Sequence, residues 1–381
     1  RSSAASDVYK RQLNSRERGK DIQNICLQCG TCNTVCGGKL DIAGMILKLR
    51  TKFAQEDGLN PVHKFCLDTV ADRHLFHSML RIASVAQGMI TKGQPMIRHL
   101  PMFLSGLTAG RSLPSVAPQP FRDILPTIKQ DVPNPKGKIA IFTGCLLDFV
   151  YVDIATDVVK ALNMAGYIVE MPLGQACCGA PATYMGDVEN AKKAAEMNLN
   201  AMEAEKYDYI VSACPTCTHA LRDYVDFFKD DPEMLKKAEA LRSKTFDFCK
   251  LVSMLGGLPD TGDGVPMKVT YHDSCHLNRY LGVTKEQREL LKATKGVELI
   301  EMHDCDKCCG FGGSYSVKFP EMSAPILEEK INNIVASGAD VVAVDCPGCL
   351  LQIRGGLDAR GLNNIQVKHT AQIVVEKREK K

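Results

Sequence analysis

Ten of the seventeen cysteines in this 381-residue chain form one five-thiol pattern written twice. Cys145 is followed by the adjacent pair Cys177 and Cys178, and then by Cys214 and Cys217 in a C-x2-C. Cys275, Cys308, Cys309, Cys346 and Cys349 repeat that order, each 130 to 132 residues after its counterpart. So regular an offset marks a tandem duplication. Two equal ligand sets imply two metal centres, and the fold must gather three separated cysteine groups into one place twice over.

The length allows two or three domains, and 45% hydrophobic residues are ample for packed interiors. A formal charge of +3 spread over 47 basic and 44 acidic residues offers no basic patch for nucleic acid. No run of eighteen uncharged apolar residues and no signal peptide occur, so we expect a cytoplasmic, reducing setting in which thiols serve metals rather than disulfides. Arg1 to Gln12 reads as translated adapter sequence, so residues 1–20 are set aside as a non-native leader and the native N-terminus is expected to be missing.

Residues 21–108 read as a helical ferredoxin-type segment. Cys26, Cys29, Cys32 and Cys36 give C-x2-C-x2-C-x3-C ahead of the helical spacing Ile42, Met45, Ile46, Leu49. Leu75, Met79, Ile82, Val85 and Met89 continue a helical stripe, expected to pack internally. With Met96, Met102 and Phe103, it also leaves room for docking on a partner or peripherally on a membrane. Six prolines between Gly110 and Lys136 mark residues 109–137 as a linker. Beyond it, residues 138–260 and 261–381 each alternate strand and helix. In the first, strands at 138–142, 168–171 and 209–212 precede the cysteine groups; in the second, 268–271, 297–301 and 340–344 do so. The fold class is therefore α/β, two tandem Rossmann-like repeats with parallel sheets behind a small helical segment. Ligands in such sheets sit at the carboxyl ends of strands.

Soft thiolates select iron–sulfur clusters, zinc or copper(I). Five donors exceed the four of tetrahedral zinc, and neighbouring cysteines such as Cys177 and Cys178 suit different irons of one polynuclear centre. A structural zinc scaffold is the weaker reading. Gly144, Gly179, Gly310, Gly312 and Gly313 would let backbone approach inorganic sulfide. His272, Asp273 and His276 beside Cys275, and His219 beside Cys217, could donate to a cluster sulfur or be plain structural residues. Cys305 could be an extra ligand; Cys66 and Cys249 read as buried bystanders. Gly310-Phe311-Gly312-Gly313 lacks the spacing of a nucleotide loop, and no flavin or nicotinamide motif is found. Clusters without hydride or carbon chemistry suggest an electron relay dependent on partner subunits rather than a stand-alone enzyme.

After about residue 20 the chain resembles the cysteine-rich CCG domain family of heterodisulfide reductases and of the iron–sulfur subunits of lactate, glycolate and anaerobic glycerol-3-phosphate oxidation. The nearest likeness is to the lactate-utilisation subunit, through His272-Asp273-Ser274-Cys275-His276, CCGFGGSYSVKFPEMS from Cys308 to Ser323, Ser337 to Asp340, Gly348-Cys349 and the linker GRSLPSVAPQPFR. The resemblance implies electron transfer from 2-hydroxyacid oxidation, a flavin-containing dehydrogenase or another iron–sulfur subunit as partner, and a [4Fe–4S] cluster, cubane or non-cubane, in each repeat. The N-terminal motif would hold another. Such proteins usually carry two ferredoxin motifs, and the one here resembles the second. An upstream motif is therefore expected to be missing, with Cys36 serving its cluster. Gly37 also stands where proline is common. Both five-thiol sets are intact, as in heterodisulfide reductase catalytic subunits, which keeps a thiol–disulfide reductase as the alternative activity.

Overall fold

In the computed structural model, residues 16–91, 96–97, 113–260 and 264–379 are described. A minimal antiparallel pair, β1 (Met96–Ile97) with β2 (Leu113–Pro114), precedes two four-stranded parallel sheets. The first sheet has the order β4-β3-β5-β6, from β3 (Lys138–Ile141), β4 (Ile168–Glu170), β5 (Tyr209–Ser212) and β6 (Thr245–Asp247). The second has the order β8-β7-β9-β10, from β7 (Met267–His272), β8 (Val297–Leu299), β9 (Val341–Val344) and β10 (Gln366–His369). The two orders correspond strand for strand, as the duplication requires. The α/β reading holds; β6 and β10 escaped it because Thr245-Phe246-Asp247 and Gln366 to His369 are short and mostly polar.

All four residues of β9 are buried and three of the four in β3 are, the signature of strands covered on both faces. The helix Val152–Met164 presents Ile154, Ala155, Val158, Val159, Ala161 and Leu162 inward. Each of the isoleucine, valine and leucine side chains stabilises by about 1.5–3 kcal/mol on full burial, the alanines less. Each repeat lends its last helix to the one that leads into the other's second strand: Thr370–Glu376 packs on Val152–Met164, and Phe248–Met254 on Glu286–Lys292. Gln372 donates to Asp153 at 2.8 Å, and Lys250 pairs with Glu286 at 2.8 Å. One apolar cluster consequently runs through both repeats, joining Ile139, Ile141, Val158 and Phe248 to Val342, Ile353 and Val374.

The Pro-rich stretch is anchored rather than loose. Gln130 accepts from the Val169 N–H and donates to its carbonyl, each at 2.8 Å, which covers the open edge of β4. Arg122 pairs with the fully buried Asp148.

Residues 16–20 begin the helix Arg16–Asn24, where Gly19 is buried near the Phe53 ring. Two expectations are corrected. Cys66 is exposed, not buried. The stripe Leu75, Met79, Ile82 and Val85 faces outward on the helix Arg73–Thr91. The opposite, polar side docks that helix. Ser84 donates to the Ala117 carbonyl, Gln87 accepts from the Val116 N–H, and the His77 ring lies tilted against that of Phe149 with centroids 5.0 Å apart. Extended linker backbone has peptide groups to satisfy, which favours polar side chains there. Met102 and Phe103 lie outside the described residues. No described helix is long and apolar enough to cross a membrane.

Candidate metal centres

Each sheet brings its three cysteine groups to the carboxyl edge. Cys145 lies in the first turn of the helix Gly144–Phe149, directly after β3. Cys214 and Cys346 each act as N-cap of a helix with proline at its first position, so Cys217 and Cys349 sit in the first helical turn. Proline loses nothing there, and the positive end of the helix favours thiolate. The adjacent pairs, expected at strand ends, instead occupy loops beyond β4 and β8.

Within the first set the sulfurs form a chain of contacts, Cys145 to Cys177 to Cys178 to Cys217 to Cys214. Cys178 is pushed down to about 6 because Cys177 and Cys217 donate to it. Contact with Cys177, then burial, raises Cys145 well above the usual thiol range. In the second set Cys308 is held low by Cys275 and Cys309, and Cys346 by Cys214 and Cys349. Cys309 and Cys349 are 3.4 Å apart. Cys214 and Cys346 act on each other across the repeats, raising the first and lowering the second, so the two sets lie side by side.

A third group of thiols is docked beside them. Cys26, Cys29 and Cys32 are near enough that the first two raise Cys32, after burial. Cys36 caps the short helix Thr31–Val35 and is not among the groups acting on Cys32. Arg50 donates to the carbonyls of Gln23, Cys26 and Tyr184, tying this loop to the first repeat. From the second repeat Arg279 donates to the Cys29 carbonyl at 3.3 Å and Tyr280 to that of Gln28 at 3.0 Å. Both come from the π-helical turn His276–Tyr280, an irregularity frequent at functional sites. Gly312, at φ +52°, belongs to this interface: an added Cβ would lie 2.4 Å from Leu27. The glycine run thus receives the cysteine loop, not a nucleotide.

The flanking residues separate into two kinds. His276 holds the Thr216 hydroxyl at 2.7 Å on Nδ1 and the Tyr184 hydroxyl at 3.2 Å on Nε2, and His219 pairs with Asp223 at 2.7 Å. Asp273 is clamped by Arg288. Cys305 accepts from Arg288 and donates to Asp273, each at 3.4 Å, which occupies it away from the other thiols. His272 differs. It is 1% exposed, both ring nitrogens lack hydrogen-bond partners, and it lies with the Cys309 and Cys349 sulfurs within 4.8 Å. Burial, with Lys330 adding, pushes it down to about 3, a neutral imidazole. Ser274 Oγ is likewise buried and unpartnered. An unsatisfied buried polar group costs about 1–3 kcal/mol. Sequence reading missed a buried cluster between the repeats, in which Asp345 accepts from Tyr271 at 2.5 Å and Cys249 at 3.5 Å. No spacing signal connects these positions.

The donors present fit an iron–sulfur group: five thiols per repeat with no carboxylate among them, and unpartnered polar atoms beside the second set. A Cβ on Gly144 would stand 3.0 Å from the Cys217 sulfur, so backbone comes close to the first set as well.

A sequence model described as "Cysteine-rich domain" (CCG) matches residues 139–222 and 269–354. "Lactate utilization protein A" of Shouchella clausii (strain KSM-K16) is 39% identical over 240 residues, 63% of this chain and 99% of that protein. The protein of the same name from Bacillus subtilis (strain 168) is 36% identical over 238 residues, 62% of this chain and 98% of that one. The "Probable glycolate oxidase iron-sulfur subunit" of B. subtilis is 31% identical over 375 residues, 94% of this chain and 84% of that protein. A solved structure of a hypothetical protein from Helicobacter pylori superposes with TM-score 0.47 at 11% identity over 68% of this chain and 54% of that one, too loosely to bear on function.

Proposed function

This chain belongs to the cysteine-rich CCG domain family, and from that membership we propose that it is the iron–sulfur electron-transfer subunit of a complex that oxidises a 2-hydroxyacid of the lactate or glycolate type. The observation that carries the reading is geometric. Two five-thiol sets meet through Cys214 and Cys346 at the carboxyl edges of two sheets, and a third thiol group is fastened beside them by Arg50, Arg279 and Tyr280. Cys145, Cys177, Cys178, Cys214 and Cys217 would hold one [4Fe–4S]-type cluster, and Cys275, Cys308, Cys309, Cys346 and Cys349 another. Cys26, Cys29 and Cys32 would supply three ligands of a third, with Cys36 serving a different one. When bound, such clusters accept and release electrons singly.

The protein's own residues set the conditions for this. Cys217 and Cys349 are pushed up by their neighbouring thiols and by burial, and the positive helix ends at which they sit offset part of that push. Seven of the ten repeat thiols are buried and Cys145, Cys275 and Cys308 are half-buried, which limits the access of water to the two repeat centres. A flavin-containing dehydrogenase subunit is the partner that would supply electrons from the substrate, since no flavin or nicotinamide loop was found in this chain. The heterodisulfide reductase alternative gains nothing from the relatives named above.

The test is an iron and acid-labile sulfide count on anaerobically purified protein. About eight of each per chain is expected for the two repeats, rising toward about twelve if the N-terminal loop also loads. Zinc without sulfide would overturn the reading.

A further inference from the structure

The two thiol sets are equal in cysteines but unequal in their surroundings. Counting back three residues from Cys145 and from Cys275 gives Phe142 in the first repeat and His272 in the second. They occupy the same position at the ends of the central strands β3 and β7: Phe142 N donates to the Val211 carbonyl on β5, and His272 pairs with Val344 on β9. Phe142 is wholly buried with its ring edge toward Gly144, beside Cys217. His272 stands correspondingly beside Cys349 and Cys309. The fold evidently accepts an apolar ring here, so an imidazole is not needed for packing.

His276, His219 and His369 all find partners. The nitrogens of His272 find none. The Cys305 carbonyl beside its ring already accepts from the Asp273 N–H at 3.0 Å and the Lys330 ammonium at 3.2 Å, so both its lone pairs are taken. An imidazole that is buried, unpartnered and facing two thiols within ligand range is placed as a metal-bound histidine is.

We infer that His272 is a nitrogen ligand of the iron–sulfur group held by the second thiol set, forming with Cys309 and Cys349 a donor face that the first set, with Phe142, lacks. The inference rests on the iron–sulfur reading of that set. A neutral nitrogen donor adds no negative charge, and histidine ligation raises cluster potentials. The second centre therefore sits at a higher potential than the first, giving electrons a direction within one chain.

The test is pulsed EPR on protein reduced in steps, with histidine alone labelled with 15N. Strong histidine-nitrogen coupling to one centre is expected in the labelled wild-type protein, and its loss is expected in His272→Phe, which imports the first repeat's residue. Iron content should be kept and one midpoint potential should move downward. His272→Asn serves as the second variant, and the labelled wild-type measurement stands without either. Iron-loaded protein with no histidine coupling, or coupling that survives in His272→Phe, overturns this inference alone. Protein devoid of iron and labile sulfide overturns the functional reading with it.

Discussion

Single residues decide how close the chain comes to the thiols. Gly144 has φ +58°, and a Cβ there would crowd the Cys217 sulfur; Gly313 has a similar φ of +60° and nothing within 4 Å. Alanine at either site meets a backbone penalty of about 1–2 kcal/mol. Only Gly144→Ala should also lose metal, falling by about four irons per chain while the second set stays loaded. Iron analysis of the two variants side by side separates strain from site damage; equal iron in both would refute the assignment of Gly144 to the first centre. The cysteines themselves were legible from spacing. Their neighbours were not: Cys66 and Cys249 look alike in sequence, yet one is exposed and the other bonds to Asp345 in the core. Burial depends on what packs opposite, which local sequence does not encode.

At the scale of elements, the docking of the N-terminal cysteine loop turns on Arg50 in the helix Ile42–Asp57. Its guanidinium serves the carbonyls of Gln23, Cys26 and Tyr184. Arg50→Met keeps the apolar stem but removes those donors, at a cost of about 2–3 kcal/mol. Limited proteolysis should then cut between residues 25 and 40 well before the repeats, and cleavage at the wild-type rate would count against this anchor. The helix Arg73–Thr91 carries a different lesson. Its apolar stripe predicted the inner face, but the linker backbone against which it lies required Ser84 and Gln87 instead. The same helix supplies a pH dependence. Burial, followed by Arg122, Arg73 and Arg81, lowers His77 to about 3. In the unfolded chain it would take a proton near 6.5. A depressed folded value means its contribution is fully present above about 6.5 and is lost as pH falls from there toward about 3. The slope is at most about 1.4 kcal/mol per pH unit, less for a half-buried ring. His77→Phe should flatten part of the loss of melting temperature between pH 6.5 and 4.5, and an unchanged slope would exclude His77 as its source.

For the whole molecule, duplication means more than two copies of a site. Each repeat covers, with its own last helix, the helix that leads into the other's second strand, so the copies share a core and their thiol sets lie side by side at Cys214 and Cys346. The sequence by itself determined the repeat, the α/β class, the six strands that lead into cysteine groups, and the chemistry of sulfur donors. These follow from spacing and from hydrophobic period, which are local properties of the chain. Only the tertiary structure decided which thiols touch across the repeats, that β6 and β10 complete the sheets, that the cysteine loop near residue 30 rests on Tyr280, and that His272 rather than His276 faces the thiols unpartnered. The two histidines lie four residues apart near one cysteine. A strand end aims the first at the sulfurs, and a π-helical turn rotates the second toward Thr216 and Tyr184, a difference set by backbone path and by packing between distant segments.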